Sequence, residues 1–322
     1  MSPFCSIVIR AYNEEAHLGR LLDGILQQTV QDVQVVLVDS GSTDGTLAVA
    51  ARYPVEVVSI RPQDFTFGRS LNLGIAHAQA EFVVMASAHV YPVYPDWLER
   101  LLEPFRGQNV ALSYGKQRGG QTSKFSEHQV FRQWFPDQSN GRQPHPFCNN
   151  ANAAIRKGLW DQHPYDEALP GLEDLAWARW AHEQGLAIAY AAEAEVVHVH
   201  NETWPGVYNR YRREGMAFKT IYPQEDFRLS DLLRALSLNV TQDLREAARQ
   251  QRLSRVWREI WRFRWNQFWG TFQGYHQSGP LTWQLKQTFY YPRAAGGHPP
   301  AGRAIQPIQY ADRNDPAAFG GK

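Results

Sequence analysis

The chain is poor in cysteine and lacks any long uninterrupted apolar run. Its two cysteines in 322 residues, Cys5 and Cys148, are too few for a disulfide framework and do not have metal-site spacing. No window approaches the roughly 18 apolar residues of a membrane-spanning helix. No charged-then-apolar leader precedes the first strand-like run. These absences favour a cytoplasmic enzyme in a reducing compartment.

The chain also lacks an excess of charge of either sign. Its 33 Lys and Arg residues against 32 Asp and Glu residues give a formal net charge of +1. A dedicated nucleic-acid-binding protein needs a basic footprint over its whole domain, so we expect no nucleic-acid partner. The length and the 43% hydrophobic content allow one large α/β domain with an appendage.

Short β-branched runs alternate with helical patterns over the first 86 residues. This alternation predicts an α/β fold, with a Rossmann-like, mostly parallel sheet and flanking helices. The strand-like runs are residues 5–10, 33–39, 55–60 and 82–86, and the helical patterns are about 14–28, 43–52 and 69–79. The segment 119–146 has weak periodicity, which is typical of a loop over a substrate site or of a plain surface insertion.

Polar residues follow the first two strand-like runs. Tyr12 and Glu14 come directly after the first run, and Asp39 ends the second. Ligands of open α/β sheets bind at the carboxyl ends of parallel strands, where an acidic side chain can pair with a base or a ribose hydroxyl. We therefore expect Tyr12, Glu14 and Asp39, with the backbone of Ala11, to hold a nucleotide. The turn 41–45 is expected to add helix N-terminal amides.

The order of these motifs resembles glycosyltransferase family 2, whose members have the GT-A fold. The similarity rests on Tyr12-Asn13-Glu14, on the run 39–46 (Asp-Ser-Gly-Ser-Thr-Asp-Gly-Thr), on the Asn-rich segment 149–156, on Glu173-Asp174 and on the late histidines of segment 196–200. It extends from about residue 6 to residue 200, or to residue 215 if the Tyr-Arg-Arg-Glu-Gly run 211–215 is included, and the chain resembles bacterial rhamnosyl- and mannosyl-type transferases. The resemblance implies transfer of a sugar from a nucleotide diphosphate.

The resemblance also implies roles for later residues. In the family, an aspartate at the position of Asp174 deprotonates the acceptor, with Glu173 as a positioning neighbour. Asn150 and Asn152 would lie beside the donor sugar. Arg69 would lie near the phosphates, although a solvated arginine at a helix start is an equally good interpretation. Because Glu173 and Asp174 open a predicted helix, we expect its dipole to keep them ionised. One base and no second carboxylate nucleophile imply single displacement with inversion.

The metal-binding Asp-x-Asp motif of the family is missing. The fourth strand-like run ends Ser87-Ala88-His89, so His89 takes the position of the last aspartate. Imidazole suits Mn²⁺ better than Mg²⁺, and His200, or His198 on the same strand face, could supply a further ligand. We expect a divalent metal, Mn²⁺ or Mg²⁺, at His89 and His200. The alternative is that both histidines hydrogen-bond the donor phosphate without a metal.

The last third of the chain differs in character. Residues 206–293 hold 15 Lys and Arg against 7 Asp and Glu, a balance of +8, and apolar residues recur there at helical spacing. The pattern predicts either helices that pack on the catalytic domain or a helix at an anionic membrane surface. We therefore expect a catalytic domain at 1–205, a basic aromatic helical region at 206–293 and a poorly ordered tail at 294–322.

These features together predict an inverting glycosyltransferase. The donor would be a nucleotide-diphosphate sugar, and the acceptor a saccharide or lipid-linked saccharide of a cell-envelope or exopolysaccharide precursor. The enzyme would be cytoplasmic, in peripheral contact with the inner face of the plasma membrane. An alternative is a catalytically silent scaffold that binds nucleotide sugars. A sugar nucleotidyltransferase is disfavoured because the loop after the first strand is not a Gly-rich phosphate loop.

Overall fold

The computed structural model describes residues 3–107, 109–276 and 305–310. The strands are β1 Cys5–Ala11, β2 Val33–Asp39, β3 Glu56–Ser59, β4 Phe82–Ser87, β5 Val90–Pro92, β6 Val110–Gly119, β7 Asn152–Arg156 and β8 Ala187–His198. They form one eight-stranded sheet in the order β3-β2-β1-β4-β7-β6-β8-β5. The first four strands are mutually parallel, and β6 is parallel to β8, whereas β7 and β5 are antiparallel to their neighbours.

Helices cover both faces of this sheet and continue beyond it. They are α1 Leu18–Leu26, α2 Thr46–Ala50, α3 Phe67–Ala76, α4 Trp97–Leu102, α5 Phe125–Trp134, α6 Lys157–Gln162, α7 Glu173–Glu183, α8 Trp204–Ile221, α9 Leu229–Arg249 and α10 Leu253–His276. Alternate strand residues face α1 and α4 on one side and α3, α6 and α7 on the other. This α/β architecture with a C-terminal helical region confirms the predicted fold class.

The C-terminal helices pack on one another as well as on the sheet domain. Buried residues of α8, α9 and α10 share a core with Phe125 and with Leu169 and Leu175 near α7. Helices α8 and α10 approach closely, because a Cβ on Gly270 or Gly274 would overlap backbone oxygens of α8. The helical region is thereby fixed against the elements that carry the predicted catalytic pair.

The apolar pattern of α10 divides between two environments. Val256, Ile260 and Phe268 are buried, as packing on the protein's own core requires. Trp257, Trp261 and Trp265 are 43%, 47% and 48% exposed on successive turns. We call these three residues the tryptophan ridge. One face of the helix therefore packs in the core, as the first interpretation predicted, and the other face is exposed; contact with a membrane stays a prediction.

Segment 119–146 contains a helix that the sequence pattern did not reveal. Helix α5 buries Phe125 and Phe131, but it also buries Ser126, Glu127 and Gln129. Polar side chains on the inward face erase the apolar periodicity from which helices are predicted. The prediction of a loop was wrong for Phe125–Trp134.

Part of the C-terminal segment follows the sheet edge. The Ile308 amide donates to the carbonyl of Val93 (2.9 Å), and the Tyr310 ring contacts the ring of Tyr91. Residues 305–310 are thus held beside β5, within the segment for which little order is predicted. The rest of that segment, and residues 277–293 of the basic region, lie outside the described residues. Where the structure is described, its helices are too short or too polar to cross a bilayer.

Candidate active site

The ends of β1 and β2 lie side by side at one edge of the sheet. Ala11 and Asp39 are paired in the parallel register of these strands. Asp39 is buried, and its Oδ2 accepts hydrogen bonds from the amides of Gly41 (3.0 Å) and Ser42 (3.1 Å). Its Oδ1 has one long contact of 3.4 Å, to the Ser42 amide. One carboxylate oxygen therefore fixes the turn after β2, while the other keeps acceptor capacity for a ligand.

The turns after β1 and β2 are tied to each other. Asn13 has a positive φ of 54°, and its Oδ1 accepts a hydrogen bond from the Thr43 amide (2.8 Å). The Gly45 amide donates to Oε2 of Glu15 (3.0 Å). The expectation that this turn offers its amides to a ligand was wrong for four of its five residues, because Asp39 bonds the amides of Gly41 and Ser42 and side chains of the first turn bond those of Thr43 and Gly45. The two motifs instead form one rigid rim beside Asp39.

Tyr12 and Glu14 face different surroundings. Tyr12 is 57% exposed, so its ring is accessible to a ligand. Glu14 accepts a hydrogen bond at Oε1 from Nδ1 of His89 (2.6 Å), and the Ser87 hydroxyl lies 3.1 Å from Nε2 of the same ring. Glu14 therefore connects the end of β1 to the residue that follows β4. Its predicted contact with a nucleotide stays a prediction.

Three histidines converge at the ends of β4 and β8. One ligand nitrogen from each of His89, His198 and His200 lies within 4.8 Å of the others. The rings of His89 and His198 stack with centroids 5.1 Å apart, and the Nε2 atoms of His198 and His200 are 2.9 Å apart. The structure thus brings together the two predicted metal ligands and the alternative third one.

Each of these rings has an oxygen acceptor at Nδ1. Nδ1 of His198 lies 2.7 Å from Oε1 of Gln117, and Nδ1 of His200 lies 2.7 Å from Oε1 of Glu127. Glu14 does the same for His89. These acceptors require Nδ1–H tautomers, which leave the Nε2 lone pairs of His198 and His200 facing each other, while Nε2 of His89 lies beside the Ser87 hydroxyl. Two facing lone pairs 2.9 Å apart repel each other unless a cation or a proton lies between them. Oxygen-bonded histidines with converging lone pairs are the donor set of protein metal sites.

The surroundings keep two of these imidazoles neutral. Burial lowers the pKa of His198 well below its ordinary value of 6.5, and the neighbouring His200 lowers it further. Burial likewise lowers the pKa of His200, with Arg210 as the next cause. Neutral imidazole is the form that binds a metal.

Two carboxylates beside His200, those of Glu127 and Glu202, already form ion pairs with an arginine. Nη2 of Arg210 lies 2.6 Å from Oε1 of Glu127 and 2.7 Å from Oε2 of Glu202. This guanidinium lies between the carboxylates that, with His200, could otherwise hold a cation. The arrangement favours the three-histidine group as the metal-binding centre and assigns Glu127 to orienting His200.

An ion pair connects β1 to the predicted catalytic helix. Nη1 of Arg10 lies 3.0 Å from Oε1 of Glu173, and the Arg10 guanidinium stacks over the ring of Phe67 at 5.0 Å. Glu173 is buried, so this pairing supplies the charge that it needs. The first turn of α7 is therefore held next to the strand end at which Ala11 pairs with Asp39.

Asp174 lies in the first turn of α7, in a constrained and buried setting. Leu172, immediately before the helix, has a positive φ of 55°, an uncommon conformation that is often found at functional sites. Asp174 accepts hydrogen bonds from the Asn150 amide (3.0 Å) and the Leu175 amide (2.8 Å). Burial, and then the charge of Glu173, raise its pKa from 3.8 to about 7. The expectation that the helix start keeps this carboxyl firmly ionised was wrong, because lost hydration and a like charge outweigh two amides.

The two predicted sugar-binding asparagines differ in their contacts. Asn150 lies against Glu173 and accepts a hydrogen bond from the Tyr165 hydroxyl (3.3 Å). Asn152 is fully buried: its amide donates to the Ala194 carbonyl (2.8 Å), and its Oδ1 accepts from Nε1 of Trp97 (2.9 Å). Asn152 therefore has a structural role in this arrangement, and only Asn150 borders the catalytic pair.

Arg69 lines a pocket next to the Asp39 turn. The pocket has a volume of about 330 Å³, and its lining includes Ser59, Ile60, Arg61, Asp64, Arg69 and Glu167. The Ile60 amide donates to the Asp39 carbonyl (2.9 Å), which joins this pocket to the end of β2. Arg69 is exposed at the start of α3. Its position suits contact with a ligand that extends from Asp39.

Sequence reasoning missed several residues that organise this site. Arg10, Gln117 and Glu127 each bond a predicted functional residue, and Arg210 in turn pairs with Glu127. Their partners are 73 to 163 positions away in sequence, so local patterns cannot reveal the pairs. Arg210 stands next to the Tyr-Arg-Arg-Glu-Gly run 211–215, and that run was the available signal for a basic group after the late histidines.

Comparisons with known proteins bear on the family and the fold of this chain. The model of "Glycosyl transferase family 2" matches residues 6–163, which include the β1 and β2 motifs and His89. The match ends before Glu173, Asp174 and the late histidines.

Curated relatives extend over more of the chain. The O-antigen chain rhamnosyltransferase WbaN of Salmonella anatum is 28% identical over 246 residues, covering 70% of this chain and 76% of its own length. The O-antigen chain rhamnosyltransferase RfbN of Salmonella typhimurium is 25% identical over 237 residues, covering 69% and 75%.

A solved structure shares the fold. The mannosyltransferase PcManGT from Pyrobaculum calidifontis, determined with GDP-Man and Mn²⁺, has a TM-score of 0.59 at 17% identity and covers 84% of this chain and 86% of its own. Taken with the motifs at the ends of β1, β2 and β4, the family match and the two curated relatives show that the chain is a glycosyltransferase whose residues 6–163 form a domain of glycosyl transferase family 2.

Proposed function

We propose that this enzyme transfers a sugar from a nucleotide diphosphate to a hydroxyl of a saccharide or lipid-linked precursor of a cell-envelope polysaccharide. The observation that carries the proposal is the Arg10–Glu173 ion pair, because it holds the catalytic helix against the strand end that carries the nucleotide motif. The O-antigen rhamnosyltransferase names of two relatives support this class of product and a deoxyhexose as the sugar.

The donor would be held along the ends of β1 and β2. Oδ1 of Asp39 would accept a hydrogen bond from the base or the ribose, with the Ala11 backbone and the Tyr12 ring beside it. The pocket that contains Arg69 has room for part of a nucleoside. A guanidinium there suits the phosphates, since it donates several hydrogen bonds and carries full charge.

Asp174 would act as the general base. Its carboxylate would accept the proton of the acceptor hydroxyl while that oxygen bonds to the anomeric carbon and the bond from this carbon to the diphosphate oxygen breaks. A pKa of about 7 suits this task near neutral pH. Glu173 is engaged with Arg10 and so is not free to attack the sugar. A single displacement leaves the anomeric configuration inverted.

His89, His198 and His200 would hold a divalent metal. Their Nδ1 atoms are bonded to oxygen acceptors, the Nε2 lone pairs of His198 and His200 face each other, and a ring nitrogen of His89 lies within 4.8 Å of both, so the residues fit a bound cation. An all-imidazole donor set favours Mn²⁺ over Mg²⁺, which prefers oxygen ligands. A metal at this position would neutralise charge on the departing diphosphate. Glu14, Gln117 and Glu127 would set the orientation of the three rings.

The tryptophan ridge would place the enzyme against the cytoplasmic face of an anionic membrane. Tryptophan side chains suit the headgroup boundary, and the exposed Arg255, Arg258 and Arg262 on the same helix would attract acidic lipids. The Arg258 guanidinium stacks over the Trp257 ring at 5.1 Å, so positive charge accompanies the ridge. A lipid-linked acceptor would then be presented to the enzyme at this surface.

A donor screen tests the proposal against the binding-only alternative. The purified chain is mixed with UDP-, dTDP- and GDP-sugars, with and without Mn²⁺, and thermal stabilisation and donor hydrolysis are measured. A transferase binds at least one donor and turns it over slowly with water. Binding without turnover under every metal condition would favour a catalytically silent scaffold. The absence of both would reject the proposal.

A further inference from the structure

We propose that Arg213 binds a phosphoryl group of the substrate beside the catalytic pair. This inference rests on the proposed function, which brings a diphosphate into the cleft. Neither the sequence motifs nor the comparisons assign a role to this residue.

Arg213 projects from α8 towards the catalytic domain. Its guanidinium carbon lies 4.6 Å from the centroid of the Phe67 ring, at the start of α3. A Cβ built on Gly171 would lie 3.4 Å from Nε of Arg213, so this arginine also packs on the turn that leads into α7. Arg10, which pairs with Glu173, stacks on the same Phe67 ring. Two guanidinium groups therefore share one aromatic side chain next to the catalytic helix.

The two arginines differ in how their charge is balanced. Arg10 has Glu173 as a partner at 3.0 Å. Among the described residues no carboxylate lies within 4 Å of the Arg213 guanidinium, and its Nε is buried without a hydrogen-bond partner. The nearby Glu214 does not fully neutralise the charge of Arg213. Burial raises the pKa of Glu214, and this carboxyl also interacts with the charge of Arg210. A partly buried cation with unused donors, fixed in position by an aromatic ring, is ready to bind an anion.

A phosphoryl group fits this position best. The guanidinium fork matches two phosphate oxygens, and such charge-assisted pairs are strong when water is partly excluded. The phosphate could belong to the donor diphosphate, or to a lipid-linked acceptor whose phosphate enters from the side of Glu173 and Asp174. Both sources would place a phosphoryl group against Arg213 and would hold the substrate towards the base.

Binding measurements with two kinds of probe test the assignment. Isothermal titration would use UDP, dTDP and GDP with Mn²⁺ as donor probes and farnesyl phosphate as an acceptor probe. The variants are Arg213→Gln and Arg213→Lys, with Arg249→Gln as the control, because Arg249 is 81% exposed and pairs with Glu246 at the end of α9. Melting temperatures without ligand report whether each variant is folded.

Arg213→Gln should lower the affinity for at least one probe by about 10- to 100-fold, and Arg213→Lys should lower the same affinity less. Arg249→Gln should bind every probe with the affinity of the parent protein. Loss confined to the nucleotides assigns Arg213 to the donor, and loss confined to farnesyl phosphate assigns it to the acceptor. Unchanged affinity of folded Arg213→Gln for every probe would overturn the inference. If Arg213→Gln does not fold, the affinities of Arg213→Lys for the same probes are compared with those of the parent protein, and unchanged affinity for every probe overturns the inference. A parent protein that binds no probe would instead reject the proposed function itself.

Discussion

Arg10 and Glu173 form an ion pair of 3.0 Å between positions 163 residues apart in the chain. Through it, β1, which leads into the nucleotide motif, is fixed to α7, which carries the proposed general base Asp174. Asp39, paired in register with Ala11, lies one strand away. The predictions below follow from this arrangement.

Asp174→Asn should lower turnover by about 100-fold or more and leave donor affinity unchanged, because an amide cannot accept the proton of the acceptor. The rate of the parent enzyme should rise with pH through about 7, where the carboxyl ionises, and the residual rate of the variant should lack this rise. Initial rates across pH, with donor affinity by titration, measure both. An equal loss of donor affinity would indicate that Asp174 binds the donor instead.

The raised pKa of Asp174 also predicts a pH-dependent stability. Between pH 4 and 7 the folded protein keeps a proton that the unfolded chain has released, so the free energy of unfolding of the parent protein should fall as pH rises through this window. Asp174→Asn removes the ionisable carboxyl and with it this loss of stability at higher pH. Relative to the parent, its free energy of unfolding should therefore improve by about 1 to 4 kcal/mol from pH 4.5 to pH 8.

Urea unfolding at the two pH values measures this difference. Asp161→Asn is a suitable control, because Asp161 is exposed on α6. Parallel pH profiles for the parent and Asp174→Asn would contradict the raised pKa.

His198→Ala should weaken Mn²⁺ binding by about tenfold or more, since it removes one of three converging nitrogens. Titration of the metal-free protein with MnCl₂ measures the affinity directly. His77→Ala, which changes an exposed histidine paired with Glu56, should have no effect. If all three of His89, His198 and His200 can be replaced singly without changing Mn²⁺ affinity, the histidines would be interpreted as direct hydrogen-bond partners of the donor phosphate.

Asp39→Asn should weaken nucleoside diphosphate binding by about 1 to 3 kcal/mol, because a neutral amide is a poorer acceptor for the donor's base or ribose. The substitution keeps one side-chain oxygen for the amides of Gly41 and Ser42, so the melting temperature should change little. Asp39→Ala would confound the two effects, since it also releases the turn. Undiminished nucleotide affinity in folded Asp39→Asn would remove this residue from the donor site.

Replacing Trp257, Trp261 and Trp265 together by Gln should reduce binding to phosphatidylglycerol vesicles by about tenfold or more, while activity on a soluble acceptor persists. Vesicle sedimentation measures the binding. The double variant Leu229→Gln and Leu233→Gln is the control, because these leucines are each 56% exposed on α9. Equal sedimentation of the parent, the ridge variant and the control would argue against a membrane role for the ridge.

The sequence predicted the sheet well where the hydrophobic period was simple. Strands β1 to β4 lie within a residue or two of their predicted bounds, because each is a short apolar, β-branched run; β1, β2 and β4 are largely buried, whereas β3 is an exposed edge strand. Helix α5 was missed because it buries polar side chains on its inward face. The sequence could place the tryptophans of α10 on a helix, but it could not predict which of them are exposed. Residues of other helices and strands decide which face of α10 is buried.

The sequence could predict which residues belong to the candidate site, but not the partners and the burial that surround them in the fold. The motif series identified Asp39, His89, Asp174 and His200, and the structure then supplied the partners Arg10, Gln117 and Glu127 from distant positions. The pKa of Asp174 depends on burial and on Glu173 together, and only a folded structure gives the first of these. The full hydrogen bonding of Asn152 depends in the same way on strands far apart in sequence.

A crystal structure with Mn²⁺ and the nucleoside diphosphate that stabilises the protein most would test the central claim most directly. We expect the base against Asp39, the diphosphate at the three histidines, and the carboxylate of Asp174 facing open space where the acceptor would lie. A nucleotide bound elsewhere, with Asp39 and Asp174 on separate surfaces, would contradict the account.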